Sequence, residues 1–584
     1  MAEPSAPAAA PPPGPPPRPR AGPSRRAGAA VGLTFALLLL AGLCFVRGYG
    51  ASVPHMDEWA LVPALAGAEA VDAAWLWAPH NEHRLPLPRL VLLGLLRSTH
   101  GDFRAGMVFN VLSLGGLSLA LLLAARRIRG KSAWSDAFFP LALLHWGHVE
   151  NLLWAWQVGF VLSSSLAGLF LVLLVRAGAS PSAGSLLGLG LCLVGLPLCG
   201  AHGLLLAPPL ALWLLGLGFA LGSSSQPRQR GKAALALALS LSSLAVSAAY
   251  PVGLPRPEPS PDLDLREVLR VALQFLSAGF GLVPARFWPA WAALAGGVLL
   301  GAAIALLPGV REPSRRSLAL GLACFLAACL SLALGIGWGR GGGAGNPAPG
   351  LASRYGALAA PGLCAAYLSF LIFGRSAPAR AVPAILFLGS ALLFARNAQQ
   401  GLSQGRDLKR STDAFQSDIL AGRPPLYLAD RYSRFPSAIY PHSYKALFPV
   451  LLEMARRSGL GFFVNLARDP EHRTVRLEAD PASPGGTAFV LEEPRFVYAV
   501  RLHYLYLPQA PLANFTLSWR GPAAGGGERG GSDRVLLFQD PEPDWVVFWI
   551  DAPLSRFSVQ PDDKPFSCRI LAAEILVPAG ASAG

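Results

Sequence analysis

Charged residues are scarce in this sequence. Only 14% of its 584 residues are Asp, Glu, Lys or Arg, and 53% are hydrophobic, whereas a soluble domain usually carries about 25% charged residues. The mean hydropathy is +0.43. A soluble enzyme is therefore excluded. Dividing the length into globular domains of roughly 150 residues also fails, because a bilayer can cover apolar segments in place of a protein core.

Cysteine is also scarce, and its placement excludes two kinds of site. Six of the seven cysteines lie in apolar stretches, where a thiol acts as a small hydrophobic group. The seventh, Cys568, has no partner in its own domain. We therefore expect neither a disulfide framework nor a structural zinc site.

Acidic residues are outnumbered, which gives a net charge of +15 and a pI near 9.9. The excess consists mostly of arginines in short loops between apolar runs, where basic residues orient a membrane protein with those loops in the cytoplasm. No basic stripe with interleaved aromatic residues occurs. Nucleic-acid binding is therefore not expected.

Long apolar runs fill the sequence from residue 29 to about residue 400. Residues 1–28 are rich in Pro and Ala and are predicted to form a disordered cytoplasmic tail. The first run, 29–46, has no small-x-small cleavage site before Arg47, so we predict an uncleaved helix. Eleven further runs follow, at 105–125, 134–149, 158–175, 183–199, 203–221, 233–251, 267–284, 290–308, 317–338, 356–374 and 380–396.

The charges of the loops predict which runs cross the bilayer. Four basic loops and the N-terminal tail are expected in the cytoplasm. The loop from 48 to 85 has five acids against one base and suits the outer side. All these loops can lie on their expected sides only if the run 267–284 does not cross the bilayer. We therefore expect it to form an interfacial or re-entrant helix. About eleven transmembrane helices then result, with the C-terminus outside.

The composition changes at about residue 401, where charges become frequent and apolar stretches shorten. We predict an extracytoplasmic α/β linker segment over 401–470, with a helix that stops at Gly459. Alternating patterns such as FVYAVRLHYL (496–505) predict strands over 471–584. The predicted fold is an α-helical polytopic membrane protein with a C-terminal extracytoplasmic β-sandwich-like domain.

The first outer loop, at 48–89, gathers ionisable residues at the membrane surface, where they are costly without a purpose. Paired carboxylates supply a general base or metal ligands, and arginine with histidine can neutralise a phosphate leaving group. Two alternatives remain open: these side chains cap interfacial helices and pair with each other, or His55, Asp57, His80 and His83 hold a divalent metal ion. The candidate residues are Asp57 and Glu58 as catalytic carboxylates, and His80, Glu82, His83 and Arg84 for substrate binding.

A second polar cluster lies in HWGHVENLLWAWQ, residues 145–157, on the same predicted side. Its tryptophans could stack on sugar faces while its polar side chains bind hydroxyl groups. An aromatic belt with polar helix caps is the alternative. The candidate substrate-binding residues are His145, His148, Glu150 and Gln157.

A third candidate site is the glycine-rich outer loop that ends in Arg354 and Tyr355. An arginine there could bind a lipid-linked phosphate, and the glycines would let the loop close over it. The alternative is a flexible loop followed by an interfacial Arg-Tyr anchor. The loop has no P-loop lysine, so nucleotide binding is not indicated.

Several of these motifs resemble the GT-C class of integral-membrane glycosyltransferases, which use polyprenyl-phosphate sugar donors. The motifs are Asp57-Glu58 in a long first outer loop, the triplet Glu82-His83-Arg84, the stretch ENLLWAWQ (150–157) and the triplet Ser353-Arg354-Tyr355. The order of helices and loops resembles this class over most of residues 29–400, but the amino-acid sequence itself resembles it only in these short motifs. The C-terminal β segment is similar to sandwich modules of bacterial cell-envelope glycosyltransferases.

The resemblance implies transfer of a sugar, with inversion, to a cell-envelope glycan, lipid or protein on the outer face of a bacterial inner membrane. In that class Asp57 would be the base or a metal-associated residue, and Arg84, His83 and Arg354 would hold the donor phosphate. No metal ligands are assigned, and neither the donor sugar nor the acceptor follows from the resemblance. A lipid or glycan transporter and a non-catalytic glycan-binding membrane protein are the alternatives.

Overall fold

A computed structural model describes most of the chain. The described residues are 25–178, 181–223, 225–254, 264–341, 347–421, 423, 425–433, 439–440, 444, 447–465, 472–478, 488–506, 512–523, 525–538, 544–561 and 568–578. The tail predicted to be disordered lies outside this set up to residue 24, and part of the glycine-rich loop, 342–346, also lies outside it.

Helices dominate the described chain up to residue 457. They are α1 Arg25–Tyr49, α2 Val62–Leu65, α3 Ala73–Trp77, α4 Pro86–Ser98, α5 Arg104–Arg129, α6 Phe138–Leu143, α7 Val149–Leu153, α8 Val158–Ala177, α9 Ala183–Gly195, α10 Ala201–Gly222, α11 Pro227–Ala249, α12 Leu265–Ser277, α13 Trp288–Arg311, α14 Arg316–Arg340, α15 Tyr355–Phe373, α16 Ala377–Leu420, α17 Pro425–Arg431 and α18 Phe448–Arg457. The strands are β1 Pro79–His80, β2 His83–Arg84, β3 His472–Leu477, β4 Ala488–Tyr506, β5 Leu512–Pro522, β6 Glu528–Phe538, β7 Asp544–Pro561 and β8 Cys568–Pro578.

Nine helices within the described residues are long and apolar enough to cross a membrane: α1, α5, α8, α10, α11, α13, α14, α15 and α16. Their outer faces carry exposed leucines, such as Leu33, Leu37 and Leu40 on α1, which are 60%, 56% and 58% exposed. Such faces suit lipid, because lipid tails are as apolar as leucine. The chain is a multi-pass membrane protein.

Two of the eleven helices expected to cross do not reach the length that a bilayer requires. The run 134–149 is broken into short helices, among them α6 of 6 residues. The apolar helix of the run 183–199 ends at Cys199 and is not among the nine; its 17 residues rise about 25 Å, compared with a hydrocarbon core of about 30 Å. The run 267–284, expected not to cross, contains the short helix α12, which is not among the nine.

The chain divides into two compact units. The N-terminal unit comprises 1–52 and 67–409, and the C-terminal unit comprises 53–66 and 410–584. A short piece of the first outer loop therefore belongs to the C-terminal unit.

Helix α15 is the most buried of the nine helices long and apolar enough to cross a membrane among the described residues, with 89% of its apolar stretch inside the protein. It packs against α5, α8, α12, α13 and α14. Small residues at its N-terminal end allow close contact: a Cβ atom added at Gly356 would lie 2.6 Å from Nδ1 of His148. The loop that precedes α15 is thereby held against the segment around residue 148.

A buried ion pair connects the end of α5 to α15. Asp136 is 1% exposed, and its Oδ1 accepts hydrogen bonds from Nη1 of Arg129 and from the hydroxyl of Tyr367, both at 2.7 Å. Its Oδ2 accepts the backbone N–H of Ala133 at 2.8 Å. The carboxylate is therefore paired and hydrogen-bonded, as a buried charge must be.

The strands of the C-terminal unit that the structure describes form one antiparallel sheet of six strands, in the order β3-β8-β4-β7-β5-β6. The central strands β4 and β7 have 19 and 18 residues. Their pairing shifts register between Val490 and Arg495 and again between Val497 and Ala499. Such bulges bend a strand. Accordingly, the second half of β4 pairs with β8, and the second half of β7 pairs with β5.

One hydrophobic core joins both halves of these strands. It contains Phe489 and Val500 of β4 together with Phe557 of β7 and Ile575 of β8. Phe489 and Phe557 stack with ring centroids 4.8 Å apart. The expected helical membrane region and C-terminal antiparallel β domain are confirmed.

The helical part of the C-terminal unit is built around Trp59, which is fully buried. Its ring lies 4.9 Å from that of Phe448 and 6.4 Å from that of Phe415. Its indole N–H donates to the carbonyl of Ile439 at 3.3 Å. The piece 53–66 is therefore part of the core of that unit.

Candidate functional site

The candidate residues fall into both units. Asp57 and Glu58 belong to the C-terminal unit, and the candidates from His80 to Tyr355 belong to the N-terminal unit. Each group is described in its own unit.

Glu58 serves the local backbone of the C-terminal unit. It is fully buried, and its Oε2 accepts the backbone N–H of His55 at 2.7 Å, which forms a capping box. Burial lowers the pKa of His55 to about 4, and the nearby charge of Asp57 opposes this shift. Asp57 itself is partly exposed and follows Met56, whose φ of 51° is left-handed. Of the two carboxylates, Asp57 is the one that solvent reaches.

The hairpin β1–β2 carries the candidates of the first outer loop that belong to the N-terminal unit. His80 pairs with His83, and Pro79 pairs with Arg84. The turn places Asn81 at a φ of 50°, which asparagine tolerates better than most residues. Burial lowers the pKa of His83, and the charge of Glu82 opposes this shift.

Arg84 is 5% exposed and binds backbone carbonyls. Its Nε donates to the carbonyl of Tyr250 at 3.0 Å, and its Nη1 and Nη2 donate to the carbonyls of Trp77 and Val252. Its own backbone N–H donates to the hydroxyl of Tyr250 at 2.9 Å. These contacts connect the hairpin to the segment that follows α11, which is a structural role.

The Arg84→Lys variant separates this structural role from phosphate binding. Lysine keeps the charge but lacks the planar fork that reaches three carbonyls, so we expect the free energy of unfolding to fall by about 2–3 kcal/mol. Thermal unfolding in detergent measures this. The exposed Arg97→Lys is the control and should change stability by less than about 0.5 kcal/mol. Unchanged stability with a raised donor KM would favour phosphate binding.

The segment 145–157 is a series of short helices in which histidines are buried. The rings of His145 and His148 stack with centroids 3.9 Å apart. Nε2 of His148 donates to the carbonyl of Ala142 at 2.8 Å. A Cβ atom at Gly147 would lie 2.7 Å from Nδ1 of His145 and 2.6 Å from Oδ1 of Asn397, so glycine is required there.

Burial keeps both histidines neutral. It lowers the pKa of His148 from 6.5 to about 4, and burial together with His148 lowers the pKa of His145 well below 6.5. The unfolded chain takes up a proton at His148 below about pH 6.5, whereas the folded chain does not until about pH 4. Stability is therefore full above pH 6.5 and falls towards pH 4, by roughly 3 kcal/mol for His148.

Melting temperatures measured between pH 8 and pH 4 test this pH dependence. Wild type should lose stability below pH 6.5, and His148→Gln should show a shallower decline. The matched control is the exposed His100→Gln, whose profile should follow that of wild type. Parallel profiles for all three proteins would contradict the assignment.

Glu150 and Arg354 form an ion pair although 204 residues separate them. Nη1 of Arg354 donates to Oε2 of Glu150 at 3.0 Å, and the two side chains are 29% and 34% exposed. Nδ2 of Asn151 donates to the carbonyl of Arg354 at 3.0 Å, which fixes the backbone before α15. Tyr355 is buried, and the guanidinium of Arg354 lies 5.3 Å from the centroid of its ring.

The segment 145–157 also contacts the hairpin. The ring of His80 lies 4.7 Å from that of Trp156. The structure therefore connects His80, through the segment 145–157, to Arg354 and Tyr355. Residues from three separate parts of the sequence meet within the N-terminal unit.

Several buried polar atoms around this segment have no hydrogen-bond partner within the described part of the chain. They are both ring nitrogens of His145, Nδ1 of His148, Oδ1 of Asn151, Oε1 of Gln157 and Oγ of Ser353. Their side chains are at least nine-tenths buried. Unpaired buried polar groups are costly and mark places where a polar ligand or water can bind. The arrangement can offer hydrogen bonds to hydroxyl groups beside an arginine that can bind an anion.

Sequence patterns did not indicate some residues that shape this region. Nδ2 of Asn110 donates to the carbonyl of Asn151 at 3.0 Å. Oδ1 of Asn397 accepts the backbone N–H of Leu282 at 2.7 Å. A lone asparagine inside an apolar run was the available signal in both cases, because such a residue needs a partner.

Metal binding gains no support from the described residues, among which no group of three His, Cys, Asp or Glu side chains is arranged to hold an ion. No protein-family model matches the sequence, and no curated protein matches it either.

Proposed function

We propose that this protein is a membrane glycosyltransferase that transfers a sugar from a polyprenyl-phosphate donor to a cell-envelope acceptor. The observation that supports this most strongly is the accessible Glu150–Arg354 pair, next to buried side-chain atoms that have no hydrogen-bond partner among the described residues. An arginine that can leave its carboxylate for a phosphate, close to groups that bind hydroxyls, suits a sugar phosphate.

The proposed reaction is a single displacement with inversion. The acceptor hydroxyl forms a bond to the anomeric carbon and gives its proton to a base, while the bond from that carbon to the phosphate oxygen breaks. The polyprenyl phosphate leaves with the electron pair. Arg354 stabilises the charge that develops on the departing phosphate, which is the electrostatic contribution that usually dominates.

Residues of the segment 145–157 orient the sugar in this proposal. Glu150 accepts hydrogen bonds from hydroxyl groups once Arg354 has turned to the phosphate, and Gln157 adds an amide oxygen. Trp156 offers an aromatic face to the sugar ring, a contact typical of carbohydrate recognition. The resemblance assigns the base to Asp57, whose partly exposed carboxylate is compatible with proton transfer.

The proposal is tested by label transfer with the purified full chain in lipid nanodiscs. A panel of radiolabelled polyprenyl-phosphate sugars serves as donors, with an envelope lipid and glycan fraction as acceptor. We expect label to reach the acceptor from at least one donor, and we expect no transfer when the protein has been boiled. No transfer from any donor by folded protein would overturn the proposal and favour transport or glycan binding without catalysis.

The Asp57→Asn variant in the same assay tests the base. Loss of transfer with an unchanged melting temperature supports Asp57. The matched control is Glu58→Gln, because the buried neighbour has a capping role and should reduce the melting temperature. Full transfer by Asp57→Asn would assign the base elsewhere.

A further inference from the structure

A groove of about 590 Å³ lies between α13, α15 and α16 in the N-terminal unit. It belongs to neither of the candidate groups described above. Its apolar wall includes Gly297, Gly301 and Ala305 of α13, and its base includes Phe370 and Phe373 of α15. The lining residues of α13 extend from 293 to 308, a rise of about 22 Å. Such length is most of the hydrocarbon thickness, about 30 Å.

The groove is open along the lipid-facing side of these helices. Ile304 and Ile385, which line it, are 57% and 40% exposed, and neighbouring Leu300 and Leu307 are 64% and 54% exposed. In a bilayer, an apolar channel of this length on a lipid-facing surface takes one hydrocarbon chain. The tails of different lipids are equally apolar, so a tail in the groove contributes van der Waals packing but does not distinguish one lipid from another. Any preference among lipids must therefore come from the headgroup.

The polar end of the groove is formed by Arg375 and Ser376, where α15 ends and α16 begins. Arg375 is 73% exposed and lies 4.0 Å from Glu312. Glu312 also contacts Arg315 at 3.5 Å. The segments 311–316 and 375–380, where these helices meet, together hold five arginines, at 311, 315, 316, 375 and 380, and a single carboxylate, Glu312. This end therefore carries a net positive charge that complements a phosphate.

We propose that the groove binds an anionic membrane phospholipid, with one acyl chain along α13 and the headgroup phosphate at Arg375 and Ser376. This goes beyond the proposed sugar transfer, because Arg375 follows the C-terminal end of α15 and Arg354 precedes its N-terminal end. The 19 residues of α15 separate the two ends by about 28 Å. The occupant is therefore a lipid of the bilayer and is distinct from the sugar donor.

Two glycines provide a matched pair of variants. A Cβ atom at Gly297 or at Gly296 meets no heavy atom within 4 Å, so both positions accept a larger side chain. Only Gly297 lines the groove. Gly297→Leu is expected to fill it, and Gly296→Leu is the control. Arg375→Gln removes the positive charge at the polar end, and the exposed Arg176→Gln, at the end of α8, is its control.

The experiment is native mass spectrometry of the full chain with equimolar dioleoyl phosphatidylglycerol and dioleoyl phosphatidylcholine in mixed micelles. Wild type and both controls should retain phosphatidylglycerol preferentially. Gly297→Leu should weaken retention at least tenfold, and Arg375→Gln about fivefold, the usual contribution of one arginine near an anionic surface. Melting temperatures of all variants confirm that each is folded.

Three results would overturn the proposal. Equal retention by Gly297→Leu and Gly296→Leu would place the lipid outside the groove. Equal retention of the two phospholipids by wild type would show that the arginines do not select charge. Displacement of phosphatidylglycerol by a polyprenyl phosphate, with loss of that competition in Gly297→Leu, would make the donor class the occupant. Label transfer by the same protein is measured separately, so the two proposals fail independently.

Discussion

Replacing Asp136 with asparagine is expected to destabilise the N-terminal unit by about 3–5 kcal/mol, because the charge of Arg129 would lose its buried partner. The side chain of Arg129 is only 17% exposed, so water cannot replace the carboxylate. Asparagine also puts an amide NH2 group where one carboxylate oxygen now accepts hydrogen bonds, so at least one donor among Arg129, Ala133 and Tyr367 loses its acceptor. Denaturation in detergent with increasing dodecyl sulfate, followed by the fluorescence of the tryptophans, measures the effect.

A matched control and a double variant make this prediction sharp. Asp102 pairs with Arg104 at 2.7 Å, but the side chains are 28% and 49% exposed, so Asp102→Asn should cost less than about 1 kcal/mol. The double variant Arg129→Met with Asp136→Leu removes both charges and should recover much of the loss. If Asp136→Asn proves as mild as Asp102→Asn, the pair does not hold α5 to α15.

Replacing Arg354 with glutamine is expected to lower kcat/KM of sugar transfer about 10²–10³-fold, the usual effect of removing one donor that stabilises a developing anion. The melting temperature should change little, since a partly exposed ion pair contributes about 0–1 kcal/mol. Arg354→Lys should be intermediate, because lysine keeps the charge without the bidentate fork. Initial rates at varied donor concentration give the comparison.

Reversing the pair distinguishes phosphate binding from simple pairing. The double variant Glu150→Arg with Arg354→Glu restores opposite charges but puts a carboxylate where the phosphate should bind. We therefore expect it to stay as inactive as Arg354→Gln, while Arg176→Gln stays fully active. Recovered transfer in the reversed pair would mean that Arg354 only holds Glu150.

Apolar runs predicted the helical part of this fold well, since a bilayer accepts only segments whose backbone is internally hydrogen-bonded. The two runs that fall short show the limit of hydropathy. The run 134–149 begins just after Gly130 to Ser132, where α5 ends. It contains His145, Gly147 and His148, and the packing of these residues against other helices breaks the run into short helices instead of one continuous helix. In the run 183–199, α9 ends at Gly195, two residues before Pro197.

The candidate site was predictable as a set of residue types but not as a set of contacts. Polar residues inside apolar surroundings single out Glu150 and Arg354, yet nothing local pairs residues 204 positions apart. Arg84 was selected for the same reason, but its partners are backbone carbonyls, which every residue has. Side-chain chemistry in the sequence cannot indicate such partners.

In the C-terminal unit, the alternation of apolar and polar residues predicted strands but did not predict the order in which the strands pair. FVYAVRLHYL lies within β4, which also includes eight residues before it. The bulges that bend β4 and β7 depend on which residues of the two strands lie opposite each other. The sequence of one strand alone does not determine that pairing.

The place of residues 53–66 in the C-terminal unit has a consequence for synthesis. Trp59 leaves the ribosome 380 residues before its acceptor Ile439, which at about 5–20 residues per second is a delay of roughly 20–75 s. While the membrane-spanning helices are being translated, the residues that bury Trp59 in the folded protein have not yet been made. The core around Trp59 can close only after α18, which carries Phe448, has been made. Until then the unfinished chain exposes apolar residues of the kind that chaperones bind.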